Sequence, residues 1–168
     1  SYDQDVYNNG NEVSSIQDIA PITDKMTITV DASNILEDDT SALTITLSNP
    51  NDGSKTELLE DSITVKISET WKDSNTNGEG TEGTLTDSSG TYNIVDNNDG
   101  TYTVTKINGS AFTLDTPITG LVYTPAENRD GDVKFEVSVK NKETGSTLEL
   151  DSKGDKTITV SPMIDAVL

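Results

Sequence analysis

The segment DVKFEVSVK, residues 132–140, alternates without a break. Val133, Phe135, Val137 and Val139 fall on one side of an extended chain. Lys134, Glu136, Ser138 and Lys140 fall on the other. Successive side chains of a strand point to opposite faces, so this period of two describes a strand with one dry and one wet face. Such a strand belongs in an antiparallel sheet packed face to face on a second sheet. The same pattern recurs in MTITV (26–30), ALTITL (42–47), SITVKIS (62–68), TYNIV (91–95), TYTVT (101–105), AFTL (111–114), LVYT (121–124), TLEL (147–150) and KTITV (156–160). About ten short strands separated by turn residues predict an all-β fold, an antiparallel β-sandwich of Ig-like architecture. No stretch reads as a helix of three turns.

The residues between these runs fit that reading. DNNDG (96–100) joins two strands and ends in Asp-Gly, which supplies the positive φ of a hairpin turn. KETGS (142–146) and KGD (153–155) read as further turns. Threonine is frequent on the wet faces, where its branched Cβ favours extended backbone without adding much apolar surface. Residues 1–23 carry no sustained alternation and read as a leader or linker, with a short helical turn expected around Glu12–Ile19. The folded module is expected to span 24–168.

The chain carries 30 acidic and 11 basic residues, a formal net charge of −19. Phosphate backbones and anionic membrane surfaces would be repelled, so nucleic acid and direct membrane insertion are not expected. Clustered carboxylates are better matched to hard divalent cations with oxygen ligands, Ca²⁺ above all. The absence of cysteine and histidine excludes thiolate and imidazole metal sites of the zinc, copper and haem kinds. It also leaves no histidine or cysteine to act as base or nucleophile. Aromatic residues make up only 5%, too few to line the deep cleft of a glycoside hydrolase, so the chain is read as a non-enzyme.

DSNTNGEGTEG (73–83) invites a test of the calcium reading, because its first six residues match the opening of an EF-hand loop. An EF-hand requires a bidentate acid at the twelfth position, and that position is Thr84. The preceding SITVKISETW alternates as a strand, and Gly78, Gly80 and Gly83 oppose a following helix. The segment is therefore a lengthened inter-strand loop, in which Asp73, Asn75 and Asn77 are either local cation ligands or solvated polar residues.

Five segments occur in a familiar order: EDDTSALTITLS (37–48), NDGSKTELLEDSITVKIS (51–68), GTYNIVDNNDGTYTVT (90–105), ITGLVYTPAENRDGDVKFEVSVKN (118–141) and TITVSPMIDA (157–166). Together they resemble the cadherin-like, Ig-like tandem repeats of giant bacterial RTX adhesins, which leave the cell by the type I route. The likeness spans 24–166. It departs at Lys55 and Glu57, where the expected acid is displaced, and at the long 73–83 loop.

The resemblance implies an extracellular module at the bacterial cell surface, rigidified by Ca²⁺ bound near the ends of the sandwich. Carried onto this chain, the candidate metal ligands are Glu37 and Asp38, Asp52, Asp130 or Asp132, and Asp165. Each has a plainer alternative. Glu37-Asp38-Asp39 also reads as a wet inter-strand loop, and Asp52 as a turn residue. NRDGD (128–132) also reads as a turn with Gly131 at positive φ, and Asp165 as part of a chain end. Asp96 and Asp99 read as turn formers. Trp71 reads as a ligand platform or as the closure of a core edge, and Tyr92, Tyr102 and Tyr123 as core or cross-strand aromatics.

The function implied is that of an extender in cell adhesion and biofilm formation, partnered by neighbouring modules of the same chain. The alternative is a calcium-dependent module binding a peptide or carbohydrate through residues 69–83. Self-association is a third possibility within the same family.

Overall fold

In the computed structural model, the structure describes residues 25–49, 56–58, 60–72 and 81–163. The expected turn at Glu12–Ile19, the boundary at 23/24, Asp52, Asp73, Asn75, Asn77 and Asp165 lie outside these. The described chain is all-β, with no helix. In chain order its strands are β1 (Thr27–Asp31), β2 (Ile35–Leu36), β3 (Ser41–Ser48), β4 (Thr56–Leu58), β5 (Ser62–Trp71) and β6 (Thr84–Asp87). They continue with β7 (Tyr92–Asp96), β8 (Thr101–Lys106), β9 (Ile118–Thr124), β10 (Gly131–Glu143) and β11 (Leu150–Ser161).

The strands form two sheets. The first has four strands in the order β1-β3-β9-β6, all antiparallel. The second has seven: β2-β11-β10-β5-β8-β7 in a row, with β4 beside the far end of β10. All its neighbours are antiparallel except β2, which runs parallel to β11.

The alternation in the sequence is what builds the core. Ile28, Val30, Leu43, Ile45, Leu47, Leu85, Leu121 and Tyr123 from the first sheet meet Ile63, Val65, Val104, Val133, Phe135, Val137, Ile158 and Val160 from the second in one buried cluster. The structure is thus a β-sandwich. Tyr123 and Phe135 pack edge to face across it, ring centroids 5.1 Å apart. Full burial of such side chains stabilises by roughly 1.5–3 kcal/mol each.

Two contacts close β1 over the second sheet. The amide of Met26 donates to Ser152 Oγ at 2.7 Å, and that hydroxyl donates to Asn141 Oδ1 at 2.7 Å. Beside them Gly154 lies against the backbone of Ile28, where an added Cβ would overlap the Ile28 carbonyl.

Several sequence expectations need correction. AFTL (111–114) and residues 147–149 are not strand. Phe112 is instead a buried anchor of an irregular connection and stacks on Tyr92 at 5.9 Å. KGD (153–155) is not a turn. It lies within β11, which pairs with β10 from Leu150 onward. Lys153 and Asp155 face outward there, and Gly154 is the residue that lets β1 approach. The 96–100 hairpin forms as expected, with Asn98 at φ 61° and Gly100 at φ 88°.

Candidate functional site at the loop-bearing end

β5, β9 and β11 finish at one end of the sandwich, where β3, β6 and β10 begin. The 73–80 segment leaves β5 from this end and returns to β6, and the chain departs from β11 here.

Four of the candidate ligands are described, and all sit at this end. Glu37 and Asp38 form the turn after β2, whose pairing with β11 is prolonged by the Glu37 amide donating to the Ser161 carbonyl at 2.9 Å. Asp130 and Asp132 flank Gly131 at the start of β10, opposite Val160 of β11. β11 thus separates the two groups. Thr159 of β11 ties Asp132 to the loop before β2: its amide donates to Asn34 Oδ1 at 2.9 Å and its hydroxyl to Asp132 Oδ1 at 3.2 Å. Asp130 is flanked by Lys72, Nζ to Oδ2 3.9 Å, and Lys72 is 64% exposed, so the pair contributes little. The turn of this loop falls at Asn128, φ 59°, while Gly131, φ 152°, already belongs to β10.

The donor set, carboxylates with hydroxyl and carbonyl oxygens, suits Ca²⁺ chemically. Among the described residues, however, no three acidic side chains group closely enough to hold an ion. Asn34, Ile35, Leu36, Asp39, Thr40 and Ser161 line an open recess of about 420 Å³ beside the Glu37-Asp38 turn. The strands flanking Asp52 point elsewhere, since Ser48 and β4 lie at the opposite end.

A second recess at the same end, about 380 Å³, opens beside Thr81–Gly83. It is lined by Ile67, Glu69, Thr81, Glu82, Gly83, Asp99, Gly100 and Tyr102. Its centre is Glu69. In β5 this residue follows Ile63, Val65 and Ile67 in phase, so its carboxyl is turned inward with them. Glu69 Oε2 accepts the Tyr123 hydroxyl at 2.5 Å and the Gly83 amide at 2.7 Å. Burial pushes the Glu69 carboxyl above its ordinary value, and Glu82 adds to that; the Tyr123 and Gly83 hydrogen bonds pull the other way without winning. Burial, followed by the Glu69 carboxylate, likewise raises the Tyr123 phenol.

Around Glu69 the loop exit is held by two more side chains. Trp71 Nε1 donates to the Thr81 carbonyl at 2.8 Å, and Tyr102 OH to the Gly83 carbonyl at 3.3 Å. Trp71 is half-buried against the core, which favours core closure over an exposed platform. Asp96 and Asp99 form the hairpin, as their turn role requires. Asp96 Oδ1 accepts the Asn98 amide at 2.8 Å, and Asp99 Oδ1 accepts the Thr101 amide at 2.9 Å.

Sequence reasoning gave Glu69 no role of its own, naming it only as the edge of the 69–83 segment. The signal was present: an acid in phase with three apolar residues of an amphipathic strand. No protein-family model matches this chain, and no curated protein matches it either. The likeness to adhesin repeats therefore rests on the five segments alone.

Proposed function

We propose that this chain is a non-enzymatic, Ig-like module of a bacterial RTX adhesin, stiffened by Ca²⁺ at the end from which its chain departs and extending the adhesin from the cell surface. One observation carries the reading. The topology brings Glu37-Asp38 and Asp130–Asp132, distant in sequence, to either side of the β11 exit. Carboxylates gathered at one end raise the negative potential there, and cations with oxygen ligands relieve it, although the described acids alone do not close a site. In this reading Asp165, four residues beyond Ser161, completes the donor set.

The strand order supports the Ig-like part. The orders β1-β3-β9-β6 and β11-β10-β5 correspond to the ABED and GFC sheets of Ig domains, and the β8–β7 hairpin extends the second sheet where variable-type domains add strands. The departure is β6, which takes the D position yet precedes that hairpin in the chain. The test is thermal unfolding in millimolar Ca²⁺, in Mg²⁺ and in chelator. A rise in Tm specific to Ca²⁺ supports the proposal, and no shift overturns it.

A second reading, a module that grips a peptide or carbohydrate, is favoured by the Glu69 recess lined by Thr81, Glu82 and Gly83. Its test is glycan- and peptide-array binding by the full chain, with and without residues 73–80. Binding lost on that deletion supports it.

A further inference from the structure

Every open sheet must end somewhere, and an edge strand presents unpaired N–H and C=O groups. Among the described residues this sandwich disposes of most of its edges. β1 is sealed by Met26, Ser152 and the close approach of Gly154 to Ile28. β2, β4 and β6 are two, three and four residues long. The exception is β7, five residues at the margin of the larger sheet, paired with β8 on one side only.

The hydrogen-bond pattern shows which of its groups face outward. Ile107 donates to the Thr91 carbonyl and Asn97 to the Thr101 carbonyl, both at the margins of the β7–β8 ladder. Hydrogen-bonded pairs alternate in an antiparallel ladder, so Asn93 and Val95 bond to β8 while Tyr92, Ile94 and Asp96 point their backbone groups away from it. The Tyr92 amide is already taken by Asp87 Oδ2 at 3.0 Å. Ile94 and Asp96 remain open. No proline, no lysine and no register shift interrupts Tyr92–Asp96, and its one charge, Asp96, stands at the end of the strand. Val95 stands on its outer face, 53% exposed.

We propose that β7 is a docking edge for an extended, lysine- or arginine-bearing segment of a partner protein, added as a further strand. Charge selects this occupant. The strand is bracketed by Asp87, Asp96 and Asp99, and the chain carries a net −19, so a second copy offers like charge where a basic segment offers the opposite. Backbone groups of Ile94 and Asp96 would supply the ladder, and Val95 an apolar contact for an alternate side chain. The inference does not depend on the adhesin reading.

The probe is a short capped peptide of alternating threonine and valine with a lysine at each end, titrated into the ¹⁵N-labelled full chain. A matched peptide bearing glutamates serves as control. Saturable shifts at the Ile94 and Asp96 amides are expected with the lysine peptide, with binding about tenfold weaker or worse for the glutamate one. Ile94→Pro removes an outward N–H without touching the β8 ladder, and Val95→Lys places a charge on the exposed face; each is expected to abolish the shifts. Val95→Lys carries the test if Ile94→Pro does not fold. No shift at Ile94 and Asp96 at millimolar peptide overturns the proposal, as does equal binding of both peptides. A concentration-dependent dimer lost in Val95→Lys also overturns it, by making a second copy the occupant.

Discussion

Tyr123 of one sheet donates its hydroxyl to the Glu69 carboxylate of the other at 2.5 Å, and the same carboxylate oxygen holds the Gly83 amide where the long loop rejoins the sandwich. One side chain thereby joins both sheets and the loop. Removing either partner strands the other. Tyr123→Phe keeps the ring in its packing against Phe135 but leaves the carboxylate short of a donor, an expected loss of about 1–3 kcal/mol. In a denaturant double-mutant cycle with Glu69→Gln, the two losses should be clearly non-additive.

The raised Glu69 value also fixes a direction with pH. The folded state holds this proton more tightly than the unfolded chain does, so the contribution is fully present below the ordinary carboxylate range. It is lost as pH rises through the raised folded value. Stability measured from pH 4 upward should therefore fall more in the parent chain than in Glu69→Gln across that window. Parallel curves would contradict the assignment.

Calcium should act by mass action. At a concentration one hundred times Kd the expected stabilisation is about 2.7 kcal/mol. Asp38→Asn and Asp132→Asn are each expected to weaken the Ca²⁺-dependent rise in Tm while changing little in chelator, since both side chains are exposed in the fold. Calorimetric titration of each variant checks this.

Gly154→Ala tests the seal between the sheets. A Cβ there overlaps the Ile28 carbonyl, so β1 must move. Overpacking of this kind costs about 1–3 kcal/mol. Hydrogen exchange should show the loss concentrated in the amides of Ile28 and Val30, with β10 little affected.

Where a strand has one dry and one wet face, the period of two located it to within a residue or two, as in β1, β3, β5 and β8. What escaped was decided by tertiary contacts. Gly154 looks like turn punctuation, yet its missing side chain serves the approach of β1 inside a long strand. AFTL has the composition of a strand, but Phe112 gains its burial by stacking on Tyr92 rather than from a ladder. β2 is too short for any periodicity to mark. The acidic end was legible as residue types: Glu37, Asp38, Asp130 and Asp132 do share one end of the sandwich. Their separation by β11 depends on a parallel pairing that no local pattern encodes. Glu69 was concealed by its own phase, since an acid following three inward residues is more often read as the strand leaving the core.

The pairing of β10 with β11 runs unbroken from Gly131↔Val160 to Asn141↔Leu150. The described chain enters β1 at one end of this ladder and leaves β11 at the other. A pull applied between Lys25 and Ser161 would thus act along the strands. It would load the β10–β11 bonds together, in shear, rather than opening them one at a time like a zipper. In that geometry the resistance expected under load is set by where the chain enters β1 and leaves β11.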